Sequence, residues 1–275
     1  MPIEQIIVLA LIQGITEFLP ISSSGHLILV PALTGWMDQG LVTDVMVHMG
    51  SLAAILVYFW RDVLALACGG LNLLRGRVTA QGKLAVWIVL ATIPAVVFGL
   101  ILRKSGLGDA LRLPEVVAWN AIIWGIVLYL ADRFGRMEKT MADMGLPQAL
   151  LIGLAQAIAL IPGTSRSGIT MTAARALGFT RPEAARFSFL LGIPAMVGAG
   201  VLVIGDALEA GEPITQDALL TGGLTFFTAL AAIALLMALV RRMSFLPFTV
   251  YRVALGSLLL ALIWSGFGFL LGTPS

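Results

Sequence analysis

Apolar residues occur along this chain in long unbroken blocks, not in the short alternating or one-faced patterns of water-soluble elements. Residues 84–102, 187–205, 218–240 and 253–275 each contain no Asp, Glu, Lys or Arg. Each approaches or exceeds the roughly 20 residues that cross a hydrocarbon core as a helix. Residues 45–60 and 116–131 are shorter. Both end in aromatic or charged residues of the kind that sit at a membrane interface, so six spans are predicted.

Two further stretches are interrupted. Residues 6–19 stop at Pro20, and 21–37 resume after a serine cluster. Residues 145–161 stop at Pro162-Gly163, and a short segment at 167–177 follows. Each pair reads as two half-length helices with a polar break at the tip, a re-entrant helix-loop-helix segment. LIQGITEFLPISSSG (11–25) and LAQAIALIPGTSRSG (154–168) match at Leu11/Leu154, Gln13/Gln156, Ile15/Ile158, Ser22/Ser165, Ser24/Ser167 and Gly25/Gly168, each pair 143 positions apart. An internal duplication explains this, with repeats of about 1–131 and 145–275 in a single polytopic domain.

Composition agrees. Of 275 residues, 59% are hydrophobic and 12% charged, against about 25% charged in soluble domains. The predicted class is an all-α integral membrane protein with six transmembrane helices and two re-entrant segments. A formal charge of +2 gives no basis for a nucleic-acid partner. The opening MPIEQ has no basic n-region and no small-residue cleavage site follows, so no removable signal peptide is expected. Cys68, the single cysteine, excludes an internal disulfide and a cysteine-based metal cluster, and is expected to be a small buried residue.

Charge fixes the expected orientation. With six spans crossing and both broken segments re-entering, the loops at 61–83, 132–145, 175–186 and 241–242 share one side. They hold Arg61, Arg75, Arg77, Lys83, Arg133, Arg136, Lys139, Arg175, Arg181, Arg186, Arg241 and Arg242. The other side holds Arg103, Lys104 and Arg112, and its 206–217 loop is purely acidic. The positive-inside rule makes the first group cytoplasmic, so the repeats are inverted and the first tip opens to the periplasm. Arg166 and Arg252 fall inside apolar segments, where an ionisable group is a functional candidate by default.

The tips concentrate the chemistry. Gln13 and Glu17 lie four apart on one helix face, placed to share a metal ion or a proton, although an amide such as Gln13 also serves to join helices. Ser22, Ser23 and Ser24 precede Gly25 and an apolar helix. They either cap that helix or, with its N–H groups, meet a phosphate. His26 titrates near neutrality and is placed to handle protons, whereas His48 lacks such company and reads as a packing residue. In PGTSRSG, Arg166 stands among Thr164, Ser165, Ser167 and Gly168 at another helix start, a fork suited to phosphate or diphosphate oxygens. If both tips meet near the midplane, carboxylate, hydroxyl, imidazole and arginine make a set for phosphoryl transfer.

QGITEFLPISSSGH and PGTSRSG, with HMGSLAAILVYFWRD, RPEAARFSFLLGIPA and YRVALGSLLL, resemble the bacitracin-resistance type of undecaprenyl-diphosphatase over essentially the whole chain. The resemblance implies a multi-pass bacterial inner-membrane hydrolase that removes the terminal phosphate of undecaprenyl diphosphate, recycling the lipid carrier for peptidoglycan synthesis and conferring bacitracin resistance. It implies a divalent cation, Mg2+ or Ca2+, and places the family's acidic motif on Gln13 and Glu17. Gln stands here where many relatives have Glu, which leaves Glu17 as the anionic ligand or base. The serine-glycine-histidine segment falls on Ser22 to His26, with Ser23 as nucleophile and His26 as proton handler or alternative nucleophile. The family's arginine falls on Arg166.

The rival from another class is an inverted-repeat secondary transporter or flippase of a polyprenyl phosphate or a small anion, because broken helices around a midplane anion site also build carriers. Small residues such as Gly198, Ala199 and Gly200 would pack helices within one protomer or between two, as in a homodimer.

Overall fold

The computed structural model describes residues 1–37, 39–106, 111, 113–209, 211 and 213–265. Arg112 and residues 266–275 of the sixth predicted span lie outside them. The chain runs through α1 (Ile3–Thr16), α2 (Ser23–Thr34), α3 (Gly40–Tyr58), α4 (Trp60–Leu74), α5 (Ala80–Ser105) and α6 (Pro114–Phe134). It continues through α7 (Leu146–Ile158), α8 (Arg166–Ala176), α9 (Arg181–Glu209), α10 (Gln216–Leu239) and α11 (Leu246–Trp264). Among the described residues no strand forms; Lys139 and Phe179 meet in an isolated parallel bridge.

Six helices, α3, α5, α6, α9, α10 and α11, are long and apolar enough to cross a bilayer, and the protein is a multi-span membrane protein. Their starts follow local chemistry. Thr79 and Thr215 cap α5 and α10 by accepting from the N–H groups of Gly82 and Ala218, at 3.0 and 3.1 Å. Proline in the first turn of α6, α7 and α11 presets the helical φ where no N–H is needed. Pro247 thus starts α11 at Leu246, ahead of the predicted 253.

Among the described residues four short helices form two pairs, α1–α2 and α7–α8, at the two interrupted stretches of sequence. Their packing is reciprocal: α1 lies against α10, and α7 lies against α5. Thr228 on α10 donates to the Ala10 carbonyl at 2.8 Å, which joins α1 to its partner. Between them a core of Phe18, Phe59, Phe187 and Phe189 fills the centre, with Phe18 set edge-on to Phe189 at 5.5 Å.

Three expectations are corrected. Residues 61–83 are not simply a loop, because α4 occupies most of them, crossing α5 where a Cβ on Gly69 would stand 2.5 Å from the Gly82 nitrogen. Cys68 is exposed, not buried. It follows Leu64 and precedes Leu71 at helical spacing, and both leucines are also exposed, so the thiol sits on an apolar face that α4 turns outward.

The 175–186 segment is likewise no open loop. Arg175 is fully buried at the end of α8 and donates to the carbonyls of Asp132, Gly135, Arg136 and Phe179. Its Nε also meets Asp132 Oδ1 at 3.0 Å, where Arg181 Nε adds a bond at 2.7 Å, and the Phe245 N–H takes Oδ2 at 3.0 Å. One buried carboxylate therefore ties α6 to α8, α9 and the turn before α11. In the connection between α6 and α7, the N–H and hydroxyl of Thr140 hold the Asp143 carboxyl below the usual carboxylate range.

Candidate active site

Each short pair is broken by residues that cannot continue a helix. After α1, Pro20 removes a donor, and Ser22 turns the chain with φ at 75° before Ser23 begins α2. After α7, Gly163 has φ at 86°. Ser165 then has φ at 69° and caps α8 by accepting from the Gly168 N–H at 3.1 Å. Arg166 is the first residue of α8.

The two tips are bound together. Ser167 Oγ donates to the Leu19 carbonyl at 3.2 Å. The fully buried Arg252 on α11 reaches carbonyls of both breaks, Pro20 at 3.4 Å, Gly163 at 3.0 Å and Thr164 at 2.9 Å. It also donates to Asn120 and Ala121 on α6 at 3.2 and 3.1 Å. All five of these acceptors are backbone oxygens, so Arg252 gives the breaks a fixed relative position and its guanidinium is engaged by the fold.

This assembly brings Glu17 to Arg166. Arg166 Nη2 donates to Glu17 Oε1 at 2.9 Å, and Ser23 Oγ and Gln13 Nε2 donate to Oε2 at 2.7 and 3.2 Å. Glu17 is only 8% exposed, so the carboxylate holds its three donors away from bulk water. Arg166 Nη1 also reaches the Ser188 carbonyl at 3.3 Å, passing over Gly192, where a Cβ would lie 2.0 Å from it. A glycine is required there for the guanidinium to reach the carboxylate.

Glu17, Ser23 and Arg166 line a cavity of about 350 Å³, with Ser22, Ser165, Gln156 and His48. Most of the remaining wall is apolar, including Leu41, Met49, Met196 and Val203. His48 belongs here, contrary to its reading as a packing residue. Its Nδ1 is 2.6 Å from the Asp44 carbonyl, which can only accept, so Nδ1 carries the proton and Nε2 is the acceptor.

His26 is placed elsewhere. Its Nδ1–H donates to the Ser22 carbonyl at 2.7 Å, and Nε2 accepts from the Tyr251 hydroxyl at 2.6 Å, with the rings stacked 5.7 Å apart. It is not among the residues lining the cavity. Thr164, Ser167, Gly25 and Gly168 do not line it either; Thr164 Oγ1 meets Asn120 Oδ1 at 3.4 Å, and Gly168 packs against Arg252. The side chain of Ser24 lies outside the described residues. Ala199 and Gly200 face the cavity within the protomer.

Among the described residues no group of three or more His, Cys, Asp and Glu comes together as a metal cage. The donors do suit a cation held by one carboxylate and the phosphates of a substrate, the usual manner of Mg2+. Gln13 Oε1 is buried without a hydrogen-bond partner next to Glu17, an oxygen of the hard type such an ion takes.

A sequence profile of the family described as bacitracin resistance protein BacA matches residues 6–258. The chain belongs to that family. The undecaprenyl-diphosphatase of Erythrobacter litoralis is 50% identical over 279 residues, covering 94% of this chain and 98% of that protein. The one from Maricaulis maris is 51% identical over 265 residues, with the same coverage. The one from Roseobacter denitrificans is 48% identical over 267 residues, covering 96% of this chain and all of that protein. For this BacA-family chain, the residues that sequence reasoning passed over are His48 and Gln156. The Gln13/Gln156 match was the signal for the second; nothing local distinguishes the first.

Proposed function

We propose that this BacA-family protein hydrolyses undecaprenyl diphosphate to undecaprenyl phosphate and inorganic phosphate in the bacterial inner membrane, from a cavity that opens to the periplasm. The carrying observation is a single buried carboxylate, Glu17, bonded at once by a serine hydroxyl and an arginine fork. The names of the relatives and the largely apolar cavity beside that set support the same substrate. The two tips are proposed to be re-entrant ends of inverted repeats, with the charged loops cytoplasmic.

In the proposed reaction Glu17 takes the proton of Ser23 as Oγ attacks the distal phosphorus. The Oγ–P bond forms and the bond from phosphorus to the bridging oxygen breaks, leaving the lipid monophosphate. Arg166 donates to the transferred oxygens, where charge spreads in the transition state. Glu17 passes that proton to the departing lipid monophosphate; water then attacks the phosphoserine phosphorus and gives a proton to Glu17, and as the P–Oγ bond breaks Glu17 returns the proton to Ser23 Oγ and phosphate leaves. A divalent cation held by Glu17 and Gln13 Oε1 with the substrate would supply positive charge at those oxygens. With its ring bound to Tyr251, His26 is proposed to hold the Ser22 backbone rather than to relay the Ser23 proton.

A carrier of an anion has no need of a serine bonded to a carboxylate. Purified protein in detergent, where there is no compartment to cross, is expected to release phosphate from undecaprenyl diphosphate. Folded protein that releases none with either Mg2+ or Ca2+, yet moves a polyprenyl phosphate across liposomes, would reverse the reading.

A further inference from the structure

The strongest unexplained feature of the cavity wall is Gln156. Its side chain is 2% exposed on α7, it lines the cavity, and among the described residues neither its Nε2 nor its Oε1 has a hydrogen-bond partner. An amide buried with both ends unmet is unfavourable, and natural structures seldom keep one without a reason. The amide faces the same space as Glu17 and Arg166, where a ligand can complete it.

The duplicated sequence says what kind of ligand. Gln13, the counterpart of Gln156, gives its Nε2 hydrogen to Glu17, four residues on along the same helix face. The residue four after Gln156 is Leu160, which lines the cavity beside it. In the first tip, therefore, the amide donates to an anionic oxygen built into the chain. In the second the acceptor is missing and the amide faces a cavity that also presents an arginine. We propose that Gln156 is a substrate-binding residue whose Nε2 donates to a non-bridging oxygen of the diphosphate, the ligand supplying the anion that Glu17 supplies to Gln13. This rests on the diphosphatase reading above, and it assigns to α7 a direct part in holding the headgroup.

The proposal separates binding from folding, because an amide with no partner in the free protein contributes nothing to its stability through hydrogen bonds. Gln156→Met fills nearly the same space without polar atoms, and Gln156→Leu is the second variant should the first not purify. Farnesyl diphosphate, a short polyprenyl diphosphate, serves as substrate, and thermal melts are recorded with and without it. The expected result is a melting temperature of the free variant equal to or above that of wild type, a smaller upward shift with farnesyl diphosphate, and a KM raised about tenfold, the size of one lost hydrogen bond to a charged group.

A lower melting temperature of the free variants with unchanged KM and unchanged ligand shift would overturn the proposal and make Gln156 a packing residue. If wild type releases no phosphate from either farnesyl or undecaprenyl diphosphate, the diphosphatase reading fails on its own. The ligand-induced shift still decides Gln156: present in wild type and lost in the variants, it supports binding, and equal in all of them, or absent from all, it overturns it.

Discussion

Ser22 and Ser165, 143 positions apart, are the two non-glycine residues among those described with positive φ, at 75° and 69°. Each stands immediately before the second short helix of its pair. A side chain in that backbone region costs about 1–3 kcal/mol and persists only where its surroundings impose it, so one serine identity in two places marks the same bend made twice. The pairing supports the proposed duplication on conformational grounds that the shared letters alone do not provide.

A differential follows for these two serines. Alanine and glycine both remove the hydroxyl, but only glycine accepts the positive φ without penalty. Ser22→Gly and Ser165→Gly are each expected to be more stable than the matching alanine variant by about 1 kcal/mol. Thermal or denaturant melts in detergent read the difference. Equal stabilities within each pair would show that the bend carries no strain.

Arg166 and Glu17 are mutually dependent. Among the described residues, removing the guanidinium leaves the buried carboxylate with Ser23 and Gln13 as donors. Arg166→Ala should then lose about 3–5 kcal/mol of stability along with its activity. Arg166→Lys keeps the charge but not the fork, and is expected to fold while losing about 10²-fold or more in kcat. Steady-state rates beside melting curves check both parts.

Arg252 is expected to affect the rate without touching substrate. Its five acceptors are backbone oxygens of α6 and of both tips, so Arg252→Lys should let the tips drift. Displacements near 1 Å can cost about 10²-fold in rate. The expected signature is a fall in kcat and a fall in melting temperature together. A variant of full activity would show that other contacts, such as Ser167 on Leu19, suffice to hold the tips.

Orientation can be read with thiol reagents. In a Cys68→Ser background, Arg77→Cys is expected to react with a membrane-impermeant maleimide from the cytoplasmic side and Glu209→Cys from the periplasmic side. Both parent residues are exposed in the structure. Labelling with the opposite sidedness would invert the topology proposed from the charges and turn the cavity toward the cytoplasm.

Much of this molecule was legible in the sequence, for identifiable reasons. The six long helices were, because lipid demands uninterrupted apolar runs. So were the breaks at Pro20 and Pro162, because proline and glycine interrupt helices locally. The meeting of Glu17 and Arg166 was legible because repeated tips imply a shared centre. The rest depends on packing. Helix α4 reads as loop in the sequence because its charges carry the topology signal and obscure its amphipathic face. His48 is brought to the cavity by α3, a placement no local motif encodes, whereas Gln156 on α7 is marked only by its match to Gln13. In the sequence Arg252 is a candidate for chemistry as an ionisable group in an apolar segment, and His26 as a neighbour of the serines and Glu17. What they bind, backbone carbonyls in one case and Tyr251 in the other, is set by contacts across more than 80 and 200 positions of chain.

The proposed hydrolysis depends most directly on Ser23. The decisive measurement is the rate of phosphate release from undecaprenyl diphosphate by purified Ser23→Ala in detergent, beside wild type, with both shown to be folded by their melting curves. Loss of about 10³-fold or more in kcat is expected when the attacking hydroxyl is removed. A rate within a few fold of wild type would contradict the account, leaving water as the attacking group and Glu17 as its base.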